Sequence, residues 1–179
     1  MNERKDMSIT VMDIVYALYF IFPAYCANAI PVIFGGGRPI DDGRTFLDGK
    51  PIFGAHKTFR GFFAGLLIGT LVGALQSVIG EFSSMPLFEY PLLLGFTTSL
   101  GALLGDLFES FIKRRLNLSP GAPFPIVDQL DFVVGALLFS LSVSSLSLTT
   151  ALLIIIVTPP IHLLTNFIAY LLGVKKTPW

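Results

Sequence analysis

Charged positions along this chain are bunched, and the gaps between them mark out its elements. Residues 14–37 and 61–80 contain no Asp, Glu, Lys or Arg, and a shorter gap covers residues 90–105. The longest gap covers residues 132–174, 43 positions in all. As one helix it would measure about 65 Å at ~1.5 Å per residue, roughly twice the apolar thickness of a bilayer. That run must fold back on itself, and its most polar stretch, the Ser- and Thr-rich residues 140–150, is the expected turn. The pattern predicts an all-α integral membrane protein, a single membrane domain over residues 1–179. Five transmembrane helices are expected near residues 10–34, 61–80, 90–108, 129–146 and 149–173, with two long loops at about residues 35–60 and 106–131.

Composition agrees. Hydrophobic residues make up 53% of the chain and charged residues 13%, about half the ~25% charged share of a soluble domain. Mean hydropathy is +0.75, too apolar for a disordered chain. Twelve basic and twelve acidic residues cancel, which argues against a nucleic-acid binder. Cys26 is the sole cysteine, so neither an intramolecular disulfide framework nor a cysteine-clustered zinc site is available. The first eight residues mix both charge signs and Asp13 interrupts the rise into the first apolar run, so no cleavable signal peptide is expected.

The charges are unevenly shared between the two sides of the five-span arrangement. One side receives Arg38, Arg44, Lys50, Lys57 and Arg60 from the first loop, Lys113, Arg114 and Arg115 from the second, and Lys175 and Lys176 from the tail. The other receives Arg4 and Lys5, with Glu81 and Glu89 in its second loop. An excess of Lys and Arg marks the cytoplasmic side, so the N-terminus is expected outside and the C-terminus in the cytoplasm. Gly61, Gly65, Gly69 and Gly73 recur every four residues, and Gly101 and Gly105 repeat the spacing, a pattern that lets helices approach closely. Pro23, Pro31, Pro159 and Pro160 interrupt helical hydrogen bonding within spans. Tyr170 and Trp179 suit an interfacial anchor.

Against this apolar background the polar residues form three groups. On a helical continuation of span three, Asp106, Glu109, Ser110 and Lys113 share one face. Asp128 and Asp131 follow as span four begins, and with Asp106 they could converge on one ion. Carboxylates beside several Lys and Arg suit a phosphate–Mg²⁺ site. Charge next to hydrocarbon is costly enough to need a partner or a function; helix capping by Asp128 and the basic bias of cytoplasmic loops are the plainer readings. The second group, Lys57, Thr58 and Arg60, precedes span two, where donors gather at a helix N-terminus and favour an anion. Gly35, Gly36 and Gly37 read as a linker rather than an anion nest. The third group, Asn28 in span one with His162 and Asn166 at i, i+4 in span five, would either bond between helices or orient a lipid headgroup.

Gly105, Asp106, Glu109, Ser110, Lys113 and Arg114, followed by Asp128 and Asp131, resemble the C-terminal signature of the CTP:phosphatidate cytidylyltransferases. His56, Lys57, Thr58, Arg60 and Gly61 are similar to the basic segment before one of their membrane helices. The small size, the opening around Pro23 to Asn28 and the closing His162, Asn166 and Tyr170 resemble the archaeal branch, the CDP-archaeol synthases. The chain departs from the phosphatidate enzymes in a shorter spacing between Ser110 and Asp128, in lacking a His-Gly-Gly element, and in Gln129 where they carry Arg; these departures bear on the lipid rather than the nucleotide.

The resemblance implies transfer of the cytidylyl group of CTP to an isoprenoid ether-lipid phosphate, with release of pyrophosphate and with Mg²⁺ as cofactor. It implies Asp106, Asp128 and Asp131 as metal ligands, which with Lys113 form the catalytic set. Lys57, Thr58, Arg60, Ser110, Lys113 and Arg114 would meet the CTP phosphates, and Asn28, His162 and Asn166 the lipid headgroup. The lipid phosphate is already ionised near neutral pH, so no general base is needed. A phosphatidate cytidylyltransferase, a CTP-dependent polyprenol kinase and a small transporter are the alternatives; the Asp-Gly-x-x-Ala-Arg signature of CDP-alcohol phosphotransferases is absent.

Overall fold

A computed structural model describes residues 9–82, 90–119, 122–175 and 177. Arg4, Lys5, Glu89, Lys176 and Trp179, which entered the charge and anchor reading above, lie outside the described residues. Five helices follow in chain order: α1 (Val11–Phe34), α2 (Phe59–Phe82), α3 (Leu92–Arg115), α4 (Val127–Ser140) and α5 (Leu148–Leu171). There is no strand among the described residues. Four of the helices, α1, α2, α3 and α5, have 24 residues each and are apolar enough to cross a membrane. At ~1.5 Å per residue each is about 36 Å long.

Local chemistry sets the helix ends. Asp13, the charge that interrupts the first apolar run, closes a capping box: its carboxylate accepts from the Thr10 amide at 2.8 Å while the Thr10 hydroxyl oxygen accepts from the Asp13 amide. Thr58 caps α2 through the Gly61 amide at 3.2 Å, and Ser147 caps α5 through the Thr150 amide at 3.0 Å. α3 continues unbroken to Arg115, the helical continuation expected beyond the span's end near residue 108. α4 is shorter than expected, ending at Ser140 rather than residue 146. The serines that follow explain this: Ser140 and Ser142 donate to the carbonyls of Leu137 and Phe139, each at 2.7 Å, and the backbone turns over residues 140–144. Such side chains compete with the helical ladder.

α1 is the hub and touches the other four helices, while α3 packs most extensively on α4. Phe20, Ile21 and Ala24 of α1 meet Leu94 and Ala102 of α3, Phe132, Val133 and Ala136 of α4, and Ile154 of α5 in one core. The glycine stripe of α2 is an approach surface. Gly61 lies on Pro31, Gly65 on the Ala27 carbonyl, and Gly73 directly on Gly95 of α3. α3 uses the same device on its other side, where Gly101 meets Gly135 and Gly105 meets the backbone of Asp131.

Pro23 has no N–H for the Tyr19 carbonyl, four residues earlier, and that carbonyl finds a substitute in the Gln76 side-chain amide at 2.7 Å. The Tyr19 hydroxyl donates in return to the Gln76 carbonyl at 3.0 Å. A proline in α1 and a glutamine in α2 are therefore one structural unit.

Candidate functional site

The polar groups meet at one end of the bundle, where α3 leaves it, α4 begins and the loop over residues 35–58 returns. Gly105 allows the first step: with no side chain between them, α3 and α4 bring Asp106 close to Asp131. Glu109, one turn beyond Asp106 on the same face, completes a trio whose carboxylate oxygens lie within 4.8 Å of one another. Lys57 reaches Asp106 from the loop, its Nζ at 2.7 and 2.6 Å from the two carboxylate oxygens. Lys113 stands between Glu109 at 2.8 Å and Asp128 at 2.6 Å. Asp128 also accepts from the Phe124 amide at 3.0 Å, which holds the approach to α4.

These charges are withdrawn from solvent: Glu109 is 6% exposed, Arg114 8% and Lys113 9%. Among the described residues, four buried atoms of this cluster have no hydrogen bond. Glu109 Oε1 and Asp128 Oδ1 are paired with Lys113, whereas Asp131 Oδ1 and Arg114 Nε stand in no ion pair. Buried polar groups are ordinarily satisfied, so these last two mark places where a bound group would complete the site. Three convergent carboxylates with an unused oxygen fit a hard divalent cation, which takes oxygen ligands. Arg114, a fixed planar donor, fits an anion.

The loop is shaped around this cluster. Ile40 donates to the Lys57 carbonyl at 2.8 Å and Phe59 to the Arg38 carbonyl at 3.1 Å, pinning the backbone on both sides of Lys57 and Thr58. Asp41 binds the loop to itself by accepting from the amides of Phe53 at 3.0 Å, Gly54 at 2.7 Å and Gly43 at 3.1 Å. Burial pushes the Asp41 carboxyl up, but the amide donors of Gly54, Phe53 and Gly43 outweigh it and hold the group below its ordinary value. Gly54 has a φ of +101°, and the Cβ of any replacement would lie 3.9 Å from Arg114 Cδ.

The expected site residues thus fall into three sets. Asp106 and Asp131 belong to the trio, Lys57, Lys113 and Ser110 touch it, with Ser110 Oγ at 3.4 Å from Glu109, and Arg114 is buried next to Gly54 of the loop. Asp128, expected beside the ion, faces Lys113 instead, and Glu109 is the third member of the trio. Thr58 is buried as the cap of α2, and Arg60 is exposed. His162 and Asn166 are 3.3 Å apart on α5, and the His162 ring lies 6.0 Å from that of Phe132, next in sequence to Asp131. Asn28 is partly exposed, and among the described residues its side chain has no hydrogen-bond partner. Sequence reasoning placed Glu109 on this face without naming it among the candidate ligands. The part played by Asp41 had no signal in the sequence beyond the turn residue Gly43 two positions on.

Apolar helices that bury a carboxylate–lysine–arginine cluster at one end define a membrane-embedded protein equipped for charged, phosphate-bearing groups. A family profile described as CarS-like, CDP-archaeol synthase, matches residues 9–179, and the chain belongs to that family. It is 48% identical over 166 residues to the CDP-archaeol synthase of Pyrococcus furiosus, covering 93% of this chain and 98% of the relative. It is 44% identical over 169 residues to that of Methanocaldococcus jannaschii, covering 91% and 96% respectively. A solved structure giving structural insight into an intramembrane enzyme for archaeal membrane lipids biosynthesis superposes with a TM-score of 0.76 at 36% identity, over 86% of this chain and 94% of that one.

Proposed function

We propose that this protein is a CDP-archaeol synthase. It transfers the cytidylyl group of CTP to the phosphate of 2,3-bis-O-geranylgeranylglycerol phosphate, yielding CDP-archaeol and pyrophosphate in the making of archaeal membrane phospholipids. The observation that carries the reading is the trio Asp106, Glu109 and Asp131 set against Lys57, Lys113 and Arg114, built from the segments on which the family resemblance rests.

In this reading the lipid phosphate oxygen attacks the α-phosphorus of CTP in line with the departing pyrophosphate. Isoprenoid chains stay in the bilayer, so the phosphate must be met at the interface. Asp106, Glu109 and Asp131 would hold Mg²⁺. When bound, Mg²⁺ supplies neutralising charge to the triphosphate. Lys57 and Arg114 orient phosphate oxygens, Arg114 through its free Nε. Lys113, clasped by Glu109 and Asp128, keeps a positive charge beside the leaving group, with Ser110 next to it. His162, Asn166 and Asn28 line the lipid side. Catalysis of this kind is positioning and electrostatics. The protein sits in the cell membrane with five crossings, its N-terminus outside and the cluster on the cytoplasmic face.

Incubation of purified protein in liposomes with α-labelled CTP, Mg²⁺ and the archaeal ether-lipid phosphate tests the proposal. Label should enter the lipid as pyrophosphate is released. Release of labelled CDP with an unlabelled lipid product would identify a CTP-dependent kinase instead, and equal or better use of phosphatidate would overturn the lipid assignment.

A further inference from the structure

The loop over residues 35–58 enters the acidic cluster through Lys57, yet its far end is fastened somewhere else. Residues 45–51 form a small hairpin, in which Phe46 donates to the Lys50 carbonyl at 2.8 Å and Gly49 to the Phe46 carbonyl at 2.9 Å. This hairpin rests on the last turn of α3, and Arg115 is the residue that joins them. Its guanidinium lies 4.6 Å from the Phe111 ring centre and 5.1 Å from that of Phe46. The two rings meet edge to face at 5.2 Å. Arg115 Nε stands 3.0 Å from Asp48 Oδ2, and its Nη2 donates to the Pro51 carbonyl at 2.5 Å. Lys50 answers from the loop, donating through Nζ to the Arg115 carbonyl at 2.8 Å. That carbonyl is one of the helix-end acceptors with no partner inside the helix.

Arg115 belongs to the basic run that follows the cluster, but all the partners above point away from the carboxylate trio. Its neighbour Lys113 is held by Glu109 and Asp128; Arg115 is held by the loop. A lysine could supply the charge for Asp48 but neither the flat stacking surface between two rings nor the fork that reaches Pro51 at the same time. The loop is therefore tied to α3 twice. Lys57 on Asp106 is the tie that uses site residues, and the Arg115 clasp is the tie that leaves them free.

We infer that Arg115 is a positioning residue: its clasp on Phe46, Asp48 and Pro51 holds the loop closed against α3 so that Lys57 stands at the acidic cluster before nucleotide arrives. The inference rests on the cluster being the nucleotide site. If the closed loop is the form that binds, its population sets apparent affinity, so a fall to about one tenth closed raises the apparent dissociation constant about tenfold. Nucleotide at saturation draws the loop shut again and restores turnover.

The test compares wild type, Arg115→Ala, Arg115→Lys and the milder Asp48→Asn in liposomes, with two readouts. Amide hydrogen exchange without nucleotide should show faster exchange over residues 44–58 in Arg115→Ala and Arg115→Lys and a smaller increase in Asp48→Asn, with exchange in α1 and α5 unchanged. Steady-state kinetics should show KM for CTP raised about tenfold in Arg115→Ala and partly in the other two, with kcat within about twofold of wild type. A fall in kcat at unchanged KM, or faster exchange spread evenly through the helices, would overturn the inference, because either marks a general structural role. Unchanged loop exchange in all three variants would overturn it as well. Should wild-type protein turn over no CTP, the functional reading fails while the exchange arm still decides whether the clasp exists.

Discussion

Asp131 and Asp128 lie one helical turn apart and ask different things of their surroundings. Asp131 has an Oδ1 with no hydrogen bond and two carboxylate neighbours, Asp106 and Glu109, so its negative charge is opposed by theirs. Asp128 has Lys113 at 2.6 Å and the Phe124 amide at 3.0 Å, so its charge is supported. Asp131→Asn relieves repulsion: cytidylyl transfer should fall at least ~100-fold while thermal unfolding in detergent stays put or moves upward. Asp128→Asn removes one partner of a largely buried ion pair, in which Glu109 still faces Lys113, and should cost about 1.5–3 kcal/mol in the same unfolding measurement. If both variants moved stability in the same direction by the same amount, the distinction between them would be lost.

Sequence spacing took this site part of the way. Asp128 and Asp131 at the start of one span, with Asp106 at the end of the one before, pointed to convergence, and of these Asp106 and Asp131 do lie together. Spacing along one helix could not reveal that Lys113 would draw Asp128 aside, nor that Lys57 would cross 49 residues of chain to reach Asp106. Those pairings depend on how far α3 and α4 approach each other, and Gly105 sets that distance.

At the scale of elements, close approach and loop closure are the two things the sequence spends small residues on. Gly105 faces the Asp131 backbone, so Gly105→Ala pushes α3 and α4 apart where the trio forms. On an exposed helix the same change stabilises by about 1 kcal/mol. Here it should destabilise by about 1–3 kcal/mol, the cost of overpacking, and reduce transfer sharply. A thermal shift to higher temperature in Gly105→Ala would contradict the packing. Gln76→Leu tests the other contact type. It strips the Tyr19 carbonyl of the donor that replaced the one missing at Pro23, and a loss of about 1–3 kcal/mol is expected for a buried acceptor left bare.

The loop offers a pH handle at Asp41. Its folded carboxyl lies below the ordinary value because three amides bind the ionised form. A lowered folded value means the stabilising contribution is present above the unfolded value, about 4, and is lost as pH falls through the folded one. Limited proteolysis of the loop should therefore accelerate in wild type only below pH of about 4. In Asp41→Asn the loop should be cut faster already at neutral pH, with a flatter dependence on acid. A wild-type loop whose cleavage rate ignored pH down to complete protonation would rule out Asp41 as its fastener.

For the whole molecule, the decisive element is the shortest. The charge-free gaps made four long helices legible, because hydropathy averages over 20 residues and ignores their neighbours. The Ser- and Thr-rich run was legible as the turn, but the end of α4 was set at 146, six residues late, because a charge-free gap does not show where the hydroxyls of Ser140 and Ser142 end the helix. With 14 residues, α4 is about 21 Å long at ~1.5 Å per residue, against a hydrocarbon core of about 30 Å. Five crossings require the chain to complete the passage with the turn over residues 141–147, and then α5 returns to the side from which α4 started. Leu47 and Leu141 are both well exposed, at 96% and 60%. The first lies in the loop assigned to the cytoplasm, the second in the turn assigned outside. With the single cysteine replaced in a Cys26→Ser background, Leu47→Cys and Leu141→Cys can be probed with a membrane-impermeant maleimide. Intact right-side-out vesicles should label position 141 alone, and inverted vesicles position 47 alone. Labelling of both from the same side would make α4 a re-entrant segment and leave four crossings. The carboxylate cluster would then lie at the mouth of a half-span rather than at the end of a complete one.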